Sequence, residues 1–429
     1  MIRRARNETT CWLLALASGV GVVAAQDPPS NRQKVEAVRA TDFGSGNEGF
    51  IHGTIRTREG RTYRGLMRWE DEEFFWDDLF NSSKEDDRFS RFLPSDERRH
   101  GRAIKIFGFT IGYSWDEHEV SRQFIARFGD IERIEVTGKN GGDVVMKSGE
   151  RYYVEGFAND VGNEIHVYDW ELGRAEIRWR DIDKIEFSVT PRNAKPPAER
   201  LFGTVVTGAG TFEGFVQWDS EECLTTDELD GESEDGDMSI PMGNIESIEK
   251  RNRKGSWVEL RNGRRVLLED TNDVDHSIRG ILVEDPRYGR VKISWDAFER
   301  VDFRKVAASG RGYDAYRPAR PLQGTVETRD GKTHSGRIVY DLDEAETWEF
   351  LNGDSFGVEY YVPFERILSV ERRGSDACLV VLHDGTELVL EGRTDVDDDN
   401  AGILVFRSDD RDPVYVPWDR VERITFEKG

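Results

Sequence analysis

Aspartates at alternate positions of a loop near the carboxyl end could bind a hard cation. Asp395, Asp397 and Asp399 have this spacing. Ca²⁺ takes six to eight oxygen ligands, which carboxylates at alternate loop positions can supply. The EF-hand pattern would have Gly at position 400 and Glu at position 406, where this sequence has Asn400 and Phe406. Calcium is therefore a candidate cofactor on the spacing of the aspartates alone, and no other cofactor is predicted.

One aspartate of this loop recurs in two earlier loops, so a structural role is the competing interpretation. Asp160, Asp273 and Asp395 each precede a valine. A recurring aspartate is more simply a turn residue whose side chain bonds its own backbone. A second recurring acidic set could bind cations or basic groups, but a solvated hairpin is the favoured prediction for it. Its members are Glu70, Glu72, Glu73, Asp219, Glu221, Glu222, Asp341, Asp343 and Glu344.

Motifs for catalysis lack a credible context, so we predict no catalytic residue and no enzyme activity. The sequence Gly-Asp-Ser-Phe-Gly at 353–357 resembles a nucleophile elbow, but that motif works at a strand-to-helix turn, and Ser355 lies in a predicted β-hairpin. The seven histidines are scattered without the spacing of a zinc site. A glycosidase-like hydrolase with a cleft between units stays open, because carboxylates are too abundant to single out a pair.

An aromatic segment early in the chain is the best candidate for a binding surface. Phe74, Phe75 and Trp76 are consecutive. Four further aromatic residues follow in an insertion, namely Phe107, Phe109, Tyr113 and Trp115. Such residues either pack in the core or present an apolar patch to a partner. The insertion, about 81–122, is also expected to add a strand or hairpin with a β-bulge to this part of the chain.

The elements that must position these groups belong to a unit that occurs three times. The units begin with Gly-Thr-Ile or Gly-Thr-Val at Gly53, Gly203 and Gly324. Each continues through further glycines to Trp-Glu, Trp-Asp or Tyr-Asp. A fixed internal period is the signature of a repeat architecture.

The second half of each unit ends in a tryptophan followed by regularly spaced apolar residues. After Trp179, Trp295 and Trp418, apolar residues stand three, six and eight positions on. A spacing of three fits one short helical turn, and the following spacing of two fits a strand. Asn-Gly at 262–263 and Asp-Gly at 384–385 predict hairpins upstream. A module of four strands, one helical turn and a last strand resembles the SH3-like or Sm-like small barrel.

We therefore predict an all-β protein of three tandem units, each a pair of SH3-like or Sm-like small β-barrel modules. The units span 49–190, 199–305 and 320–429, with Pro-containing linkers between them. The alternative is a six-bladed β-propeller, since six four-stranded modules could also close a ring. The short helical turns and the Gly, Asn and Asp turn residues favour an all-β fold in either case.

The amino terminus predicts export. Residues 1–25 combine a basic start, an apolar run and a small-residue cleavage site, which is typical of a secretory signal peptide, and 26–48 is expected to be a flexible linker. The protein is then periplasmic or extracellular, with no membrane span after cleavage. Cys223 and Cys378 are expected to be free or buried thiols. The net charge of −24 disfavours nucleic acid as a partner.

The function predicted from the sequence is that of a secreted, non-catalytic repeat protein. It would bind a protein or polysaccharide in the cell envelope or outside the cell, or serve there as a scaffold, because arrays of small β-modules offer surfaces. The alternative within binding functions is a calcium-dependent or carbohydrate-binding module array.

Overall fold

The computed structural model describes residues 46–85, 88–93, 102–106, 109–114, 121–156, 160–407 and 412–428. The predicted signal peptide and nearly all of the predicted linker at 26–48 lie outside these residues. Within them, every regular element is a β-strand or a three-residue 3-10 turn, so the all-β prediction is confirmed. The described residues contain no helix that is long and apolar enough to cross a membrane.

The first unit consists of ten strands of one sheet and a separate hairpin. The sheet strands are β1 His52–Thr57, β2 Thr62–Trp69, β3 Leu79–Glu85, β6 Ser121–Arg127, β7 Ile131–Thr137, β8 Gly141–Met146, β9 Arg151–Glu155, β10 Glu164–Asp169, β11 Gly173–Arg178 and β12 Ile182–Phe187. The hairpin strands are β4 Arg102–Ile106 and β5 Phe109–Ser114, and their register shifts once, as expected for a bulge in the insertion.

The second and third units also have ten strands each. The second comprises β13 Phe202–Thr207, β14 Gly210–Gln217, β15 Glu228–Ser233, β16 Gly236–Pro241, β17 Ile245–Asn252, β18 Gly255–Leu260, β19 Arg265–Glu269, β20 Ile281–Asp285, β21 Gly289–Ile293 and β22 Phe298–Phe303. The third comprises β23 Gln323–Thr328, β24 Thr333–Val339, β25 Phe350–Ser355, β26 Val358–Pro363, β27 Ile367–Arg372, β28 Ala377–Leu382, β29 Glu387–Glu391, β30 Ile403–Phe406, β31 Val414–Val416 and β32 Val421–Phe426.

The strands of the three units pair in the same order. In the first unit the order is β11-β10-β2-β1-β12-β7-β8-β9-β3-β6. The second unit has β21-β20-β14-β13-β22-β17-β18-β19-β15-β16, which is the same order with each strand replaced by its equivalent. The third unit repeats it with β31-β30-β24-β23-β32-β27-β28-β29-β25-β26.

The two halves of each unit exchange strands. In chain order, the first half of the first unit contributes β1, β2, β3, β6 and β7, and the second half contributes β8 to β12. In space, β1 and β2 pair with β12 and β10 from the second half, whereas β3 and β7 pair with β9 and β8. The prediction that each half forms a separate small barrel is therefore wrong. The strand order is open, and the described residues contain no closed barrel and no ring of four-stranded blades.

The predicted tryptophan corner lies at the end of each second half. Trp179 and Trp418 each begin a 3-10 turn, and Trp295 begins a turn that leads into β22. All three tryptophans are buried. Equivalent 3-10 turns at Phe128–Asp130, Met242–Asn244 and Phe364–Arg366 end the first halves. The apolar spacing after each turn directs alternate strand residues into the core, as the period of two predicts.

The second and third units share one twenty-stranded sheet, because strand β21 pairs antiparallel with β26. A single apolar core extends through both units, and the first unit has a core of its own. The segment predicted to be the second linker packs on that first core, where Tyr316 lies against Gly129. It is therefore part of the packed structure and not a free spacer.

Candidate functional site

The three aspartates predicted to bind a cation do not converge. Asp395 is buried, whereas Asp399 is exposed and its backbone N–H donates to Oδ1 of Asp397 at 2.8 Å. This contact is a turn of the kind in which an aspartate bonds the backbone two residues on. The alternate spacing therefore does not make Asp395, Asp397 and Asp399 a common ligand set.

Asp395 instead meets two members of the other recurring acidic set. The carboxylates of Asp341, Glu344 and Asp395 have ligand atoms within 4.8 Å of one another. We call these three residues the acidic cluster of the third unit. The prediction that the residues after Tyr340 form a solvated hairpin is wrong, because Asp341 is buried and Oε2 of Glu344 has no solvent-exposed surface.

Short backbone contacts hold the cluster in place. The N–H of Tyr340 donates to the carbonyl of Glu344 at 2.8 Å, which closes the turn that follows β24. The hydroxyl of Tyr340 donates to the carbonyl of Asp395 at 2.6 Å, and the N–H of Asn352 donates to Oδ2 of Asp395 at 2.6 Å. The aromatic residue thus joins the two acidic segments, which explains why the aromatic and acidic positions occur together in the sequence.

The second unit builds the same arrangement from Asp219, Glu222 and Asp273. Trp218 takes the place of Tyr340, and its indole Nε1 donates to the carbonyl of Asp273 at 2.8 Å. The N–H of Asp230 donates to Oδ2 of Asp273 at 2.7 Å. In the first unit, Glu73 and Asp160 are the equivalent pair, and the N–H of Asn81 donates to Oδ2 of Asp160.

Burial shifts the acid groups of all three units in the same direction. It raises the pKa of Glu222 to about 9, with the charge of Asp273 adding to the effect. Burial likewise raises the pKa of Asp160 to about 8 and that of Asp273 to about 6. The pKa values of Glu344 and Asp395 lie well above the usual range, first through burial and then through neighbouring carboxylates. Burial therefore favours the protonated form of these carboxyl groups over the ionised form.

A further recurring acid joins the units to one another. Oδ2 of Asp78 accepts from the N–H groups of Phe74 and Phe75, both at 2.8 Å, and the side chains of Asp227 and Glu349 accept from the equivalent N–H groups. Each of these acids also meets a cation from another unit. Asp78 pairs with Arg290 at 2.7 Å, Asp227 with Arg68 at 3.0 Å and Glu349 with Lys84 at 3.9 Å.

The predicted aromatic binding surface is not at the surface. Phe74, Phe75 and Trp76 are fully buried, and the first two pack against Cys223 and Leu224 of the second unit. They form the contact between the first and second units. Of the two predicted roles, packing in the core is therefore the one that the structure shows. Phe107 and Trp115 lie outside the described residues, and Phe109 and Tyr113 are on β5, of whose side chains nothing is described.

Two exposed apolar residues lie elsewhere, at the tip of the β10–β11 hairpin. Trp170 is 60% exposed and Leu172 is 65% exposed. Oδ1 of Asp169 accepts from the N–H groups of Glu171 and Leu172, which fixes the turn. Strand β11 follows directly, and among the described residues its one paired neighbour is β10. The sequence signal for this site is two large apolar residues within a hairpin turn.

The remaining predictions about reactive groups concern Ser355, Cys223 and Cys378. Ser355 ends β25, and Phe356 and Gly357 form the turn to β26, so the elbow-like motif connects two strands. Both cysteines are buried free thiols, as predicted.

No protein-family model, curated protein or solved structure matches the chain.

Proposed function

We propose that the protein is a non-catalytic binding protein whose partner adds an extended strand at β11, which is an edge of the sheet among the described residues. The observation that carries this proposal lies in the chain itself. Strand β21 is the equivalent of β11, and its outer edge is occupied by an antiparallel strand, β26. An exposed strand edge carries unpaired N–H and C=O groups that a further strand can satisfy.

The register of the internal junction indicates how a partner strand would lie. Arg290, Val291, Lys292 and Ile293 face Tyr361, Tyr360, Glu359 and Val358. The pairing of each strand with its inner neighbour makes Glu176 of β11 the equivalent of Lys292. A partner residue at that position would therefore face a carboxylate instead of an ammonium group.

This exchange of charge favours a basic partner strand. Opposite charges on directly facing strand residues stabilise a pair, and like charges destabilise it. The internal junction follows this rule, because Lys292 faces Glu359. A lysine or arginine is therefore expected opposite Glu176, and the net charge of −24 would draw such a partner towards the protein. Trp170 and Leu172 add apolar contact area at the end of the strand.

A second copy of the chain fits this edge poorly. Strand β16 is the equivalent of β26, and the residue pairings among the described residues join it to β15 alone. Its Asp237 corresponds to Glu359, so pairing two copies through β11 and β16 would place Asp237 opposite Glu176. The like charges disfavour this pairing, and they favour a different protein as the partner.

A peptide derived from β26 tests the proposal with a charge reversal. The lysine peptide Val-Lys-Tyr-Tyr-Val-Pro has the sequence of residues 358–363 with lysine at position 359, and the glutamate peptide has the native sequence. Fluorescence polarisation should show that the whole protein binds the lysine peptide roughly fivefold more tightly, as expected for one changed cross-strand pair. Glu176→Lys should reverse this preference.

Glu171→Lys is the matched control, since Glu171 is exposed on the hairpin tip but lies outside the strand. It should leave the preference for the lysine peptide in place. Failure of the lysine peptide to bind, or an equal response of both variants, would overturn the proposal. Self-association of the protein at micromolar concentration would instead identify a second copy as the occupant.

A further inference from the structure

The third unit has an open groove at the end of its last strand, β32. The groove has a volume of about 240 Å³. Three of the residues that line it are buried and apolar, namely Leu322, Phe364 and Phe426. Thr347 and Lys428 also line it. A concave apolar site with a few polar groups is the usual form of a ligand-binding site.

The first unit fills the equivalent space with an indole ring. Trp76 is the equivalent of Thr347, because the carbonyl of each accepts a hydrogen bond, of 2.8 and 3.0 Å, from the middle residue of the 3-10 turn that ends the first half. The Trp76 ring packs 5.8 Å from that of Phe187, which is the equivalent of Phe426. The groove of the third unit is therefore the space that an indole fills in the first unit.

A peptide segment covers this indole in the first unit. The rings of Trp76 and Tyr313 have centroids 4.5 Å apart, and Nζ of Lys147 lies 3.3 Å from the centroid of the Tyr313 ring. Lys147 also donates to the backbone carbonyls of Tyr313 and Tyr316, at 2.6 and 3.0 Å. The first unit thus holds a segment from elsewhere in the chain through an aromatic contact and through hydrogen bonds to its backbone.

The group that would hold such a segment in the third unit is His383. It is the equivalent of Lys147, because the backbone N–H of each donates to the last residue of the 3-10 turn, both at 2.9 Å. Nε2 of His383 is shielded from solvent and has no hydrogen-bond partner among the described residues. In the second unit the corresponding side chain, Arg261, donates to the carbonyl of Gly243 at 2.9 Å. A shielded polar atom without a partner is rare in folded proteins, so this nitrogen points to a ligand.

His383 lies near the groove. The positive charge of Lys428, which lines the groove, adds to the effect of burial in lowering the pKa of His383. The two side chains are therefore close enough to interact. The lowered pKa also keeps the imidazole neutral at pH 7, and a neutral ring nitrogen can form a hydrogen bond with a peptide backbone.

We propose that this groove binds a tryptophan side chain of a partner protein, presented on a short exposed segment of the partner's chain. The indole would lie against Phe426, as that of Trp76 lies against Phe187. The backbone of the segment would form a hydrogen bond with Nε2 of His383. Tryptophan side chains that fill a pocket are common anchors of protein interfaces.

The ligand would present one ring and not two. In the first unit the ring of Tyr316 lies on Gly129, where an added Cβ would come within 2.5 Å of the ring. The third unit has Glu365 at this position of the turn, so a second ring cannot lie there. The groove is also a different site from the strand edge at β11, and it does not depend on strand addition.

Fluorescence polarisation with labelled peptides tests the groove in the whole protein. The tryptophan peptide Arg-Gly-Trp-Asp-Ala has the sequence of residues 311–315 with tryptophan at position 313, and the alanine peptide has alanine there. Both end before the second tyrosine of this segment. The protein should bind the tryptophan peptide at least about tenfold more tightly, as expected for one aromatic anchor in a pocket.

Two variants and one control locate the binding. Thr347→Trp introduces the residue of the first unit and should weaken binding of the tryptophan peptide about tenfold or more, because its indole occupies the groove. His383→Ala should weaken it about threefold to tenfold, as expected for the loss of one hydrogen bond. Thr225→Trp is the matched control, since Thr225 is the equivalent, half-buried residue of the second unit. It should leave the affinity unchanged.

The proposal is overturned if both peptides bind equally, if Thr347→Trp or His383→Ala retains the full affinity, or if Thr225→Trp weakens binding as much as Thr347→Trp. Circular dichroism shows whether each variant is folded. His383→Ala shortens a half-buried side chain and leaves the groove lining intact, so it decides the question if Thr347→Trp does not fold. Glu176→Lys, the variant that tests strand addition at β11, should bind the tryptophan peptide as the unmodified protein does.

Discussion

Arg200 and Asp77 form a buried ion pair between the second and first units, with Nη2 of Arg200 lying 2.7 Å from Oδ1 of Asp77. The guanidinium stacks between the rings of Phe75 and Phe215, at 3.8 and 4.2 Å from their centroids. It also donates to the carbonyl of Ser309, in the segment between the second and third units. One side chain therefore contacts the first unit, a ring of its own unit and the segment that leads to the third unit.

Replacing Arg200 by methionine should destabilise the protein by about 3–5 kcal/mol, because Asp77 is left as an uncompensated buried charge. The measurement is urea unfolding followed by tryptophan fluorescence. Arg56→Met is the matched control, since its pair with Asp183 is exposed and should contribute less than about 1 kcal/mol. Equal losses in the two variants would contradict the central role of Arg200.

A recurring glycine should be intolerant of even one added methyl group. A Cβ on Gly214 would lie 2.0 Å from the carbonyl oxygen of Glu284, on the strand that pairs with β14 at this point. Gly65 and Gly336 have the same close approach in the other units. Gly214→Ala should therefore cost about 1–3 kcal/mol or more, as overpacking does. A Cβ on Gly208 would lie 3.9 Å from its nearest neighbour, so Gly208→Ala should unfold at nearly the same urea concentration as the unmodified protein.

The features that sequence predicted well are local ones. The tryptophan corners and the hairpin at Gly263, which has a φ of 82°, depend on residues close together in the chain. The exchange of strands between the two halves of a unit could not be predicted in this way. The residue pattern of β2 fits a neighbouring strand from its own half about as well as it fits β10. The register that decides between them comes from packing across about a hundred residues, which no short pattern contains.

The buried acids were mispredicted for a related reason. A run of carboxylates normally indicates a solvated surface, because burying charge is costly without a partner. The partners exist here but come from distant positions. Lys84 reaches Asp343 and Arg68 reaches Asp227, and both cations belong to the first unit. Phe74 and Phe75 are covered in the same way by residues of the second unit.

Trp348 should prove to be the main apolar anchor between the first and third units. Its ring packs 5.8 Å from Phe124 and 6.0 Å from Tyr152, and its Nε1 donates to Glu346 at 2.8 Å. Trp348→Ala is expected to destabilise the protein by about 3–5 kcal/mol, the usual result of emptying a large buried aromatic site. Thermal unfolding checks this, and Trp170→Ala serves as the comparison. That exposed residue should change stability by no more than about 0.5 kcal/mol.

Glu222 should make the stability of the protein depend on pH between about 4.5 and 9. Its pKa rises from 4.5 to about 9 on folding, chiefly through burial, and the residue is 8% exposed. Between these values the unfolded chain has released a proton that the folded chain still holds. Raising the pH therefore lowers the free energy of unfolding across this window, and the full stability is present below it. Asp273, whose pKa rises to about 6, acts in the same direction.

Glu222→Gln removes this titration while retaining the shape of the protonated acid. Relative to the unmodified protein, the variant should gain stability steadily from pH 5 to pH 8.5, by more than about 1 kcal/mol at the upper end, since one pKa unit corresponds to 1.36 kcal/mol. Urea unfolding at four pH values across the window measures the trend. Glu228→Gln, at an exposed position of β15, should follow the unmodified protein at every pH. Parallel curves for Glu222→Gln and the unmodified protein would contradict the prediction, because they would mean that folding does not raise the pKa of Glu222.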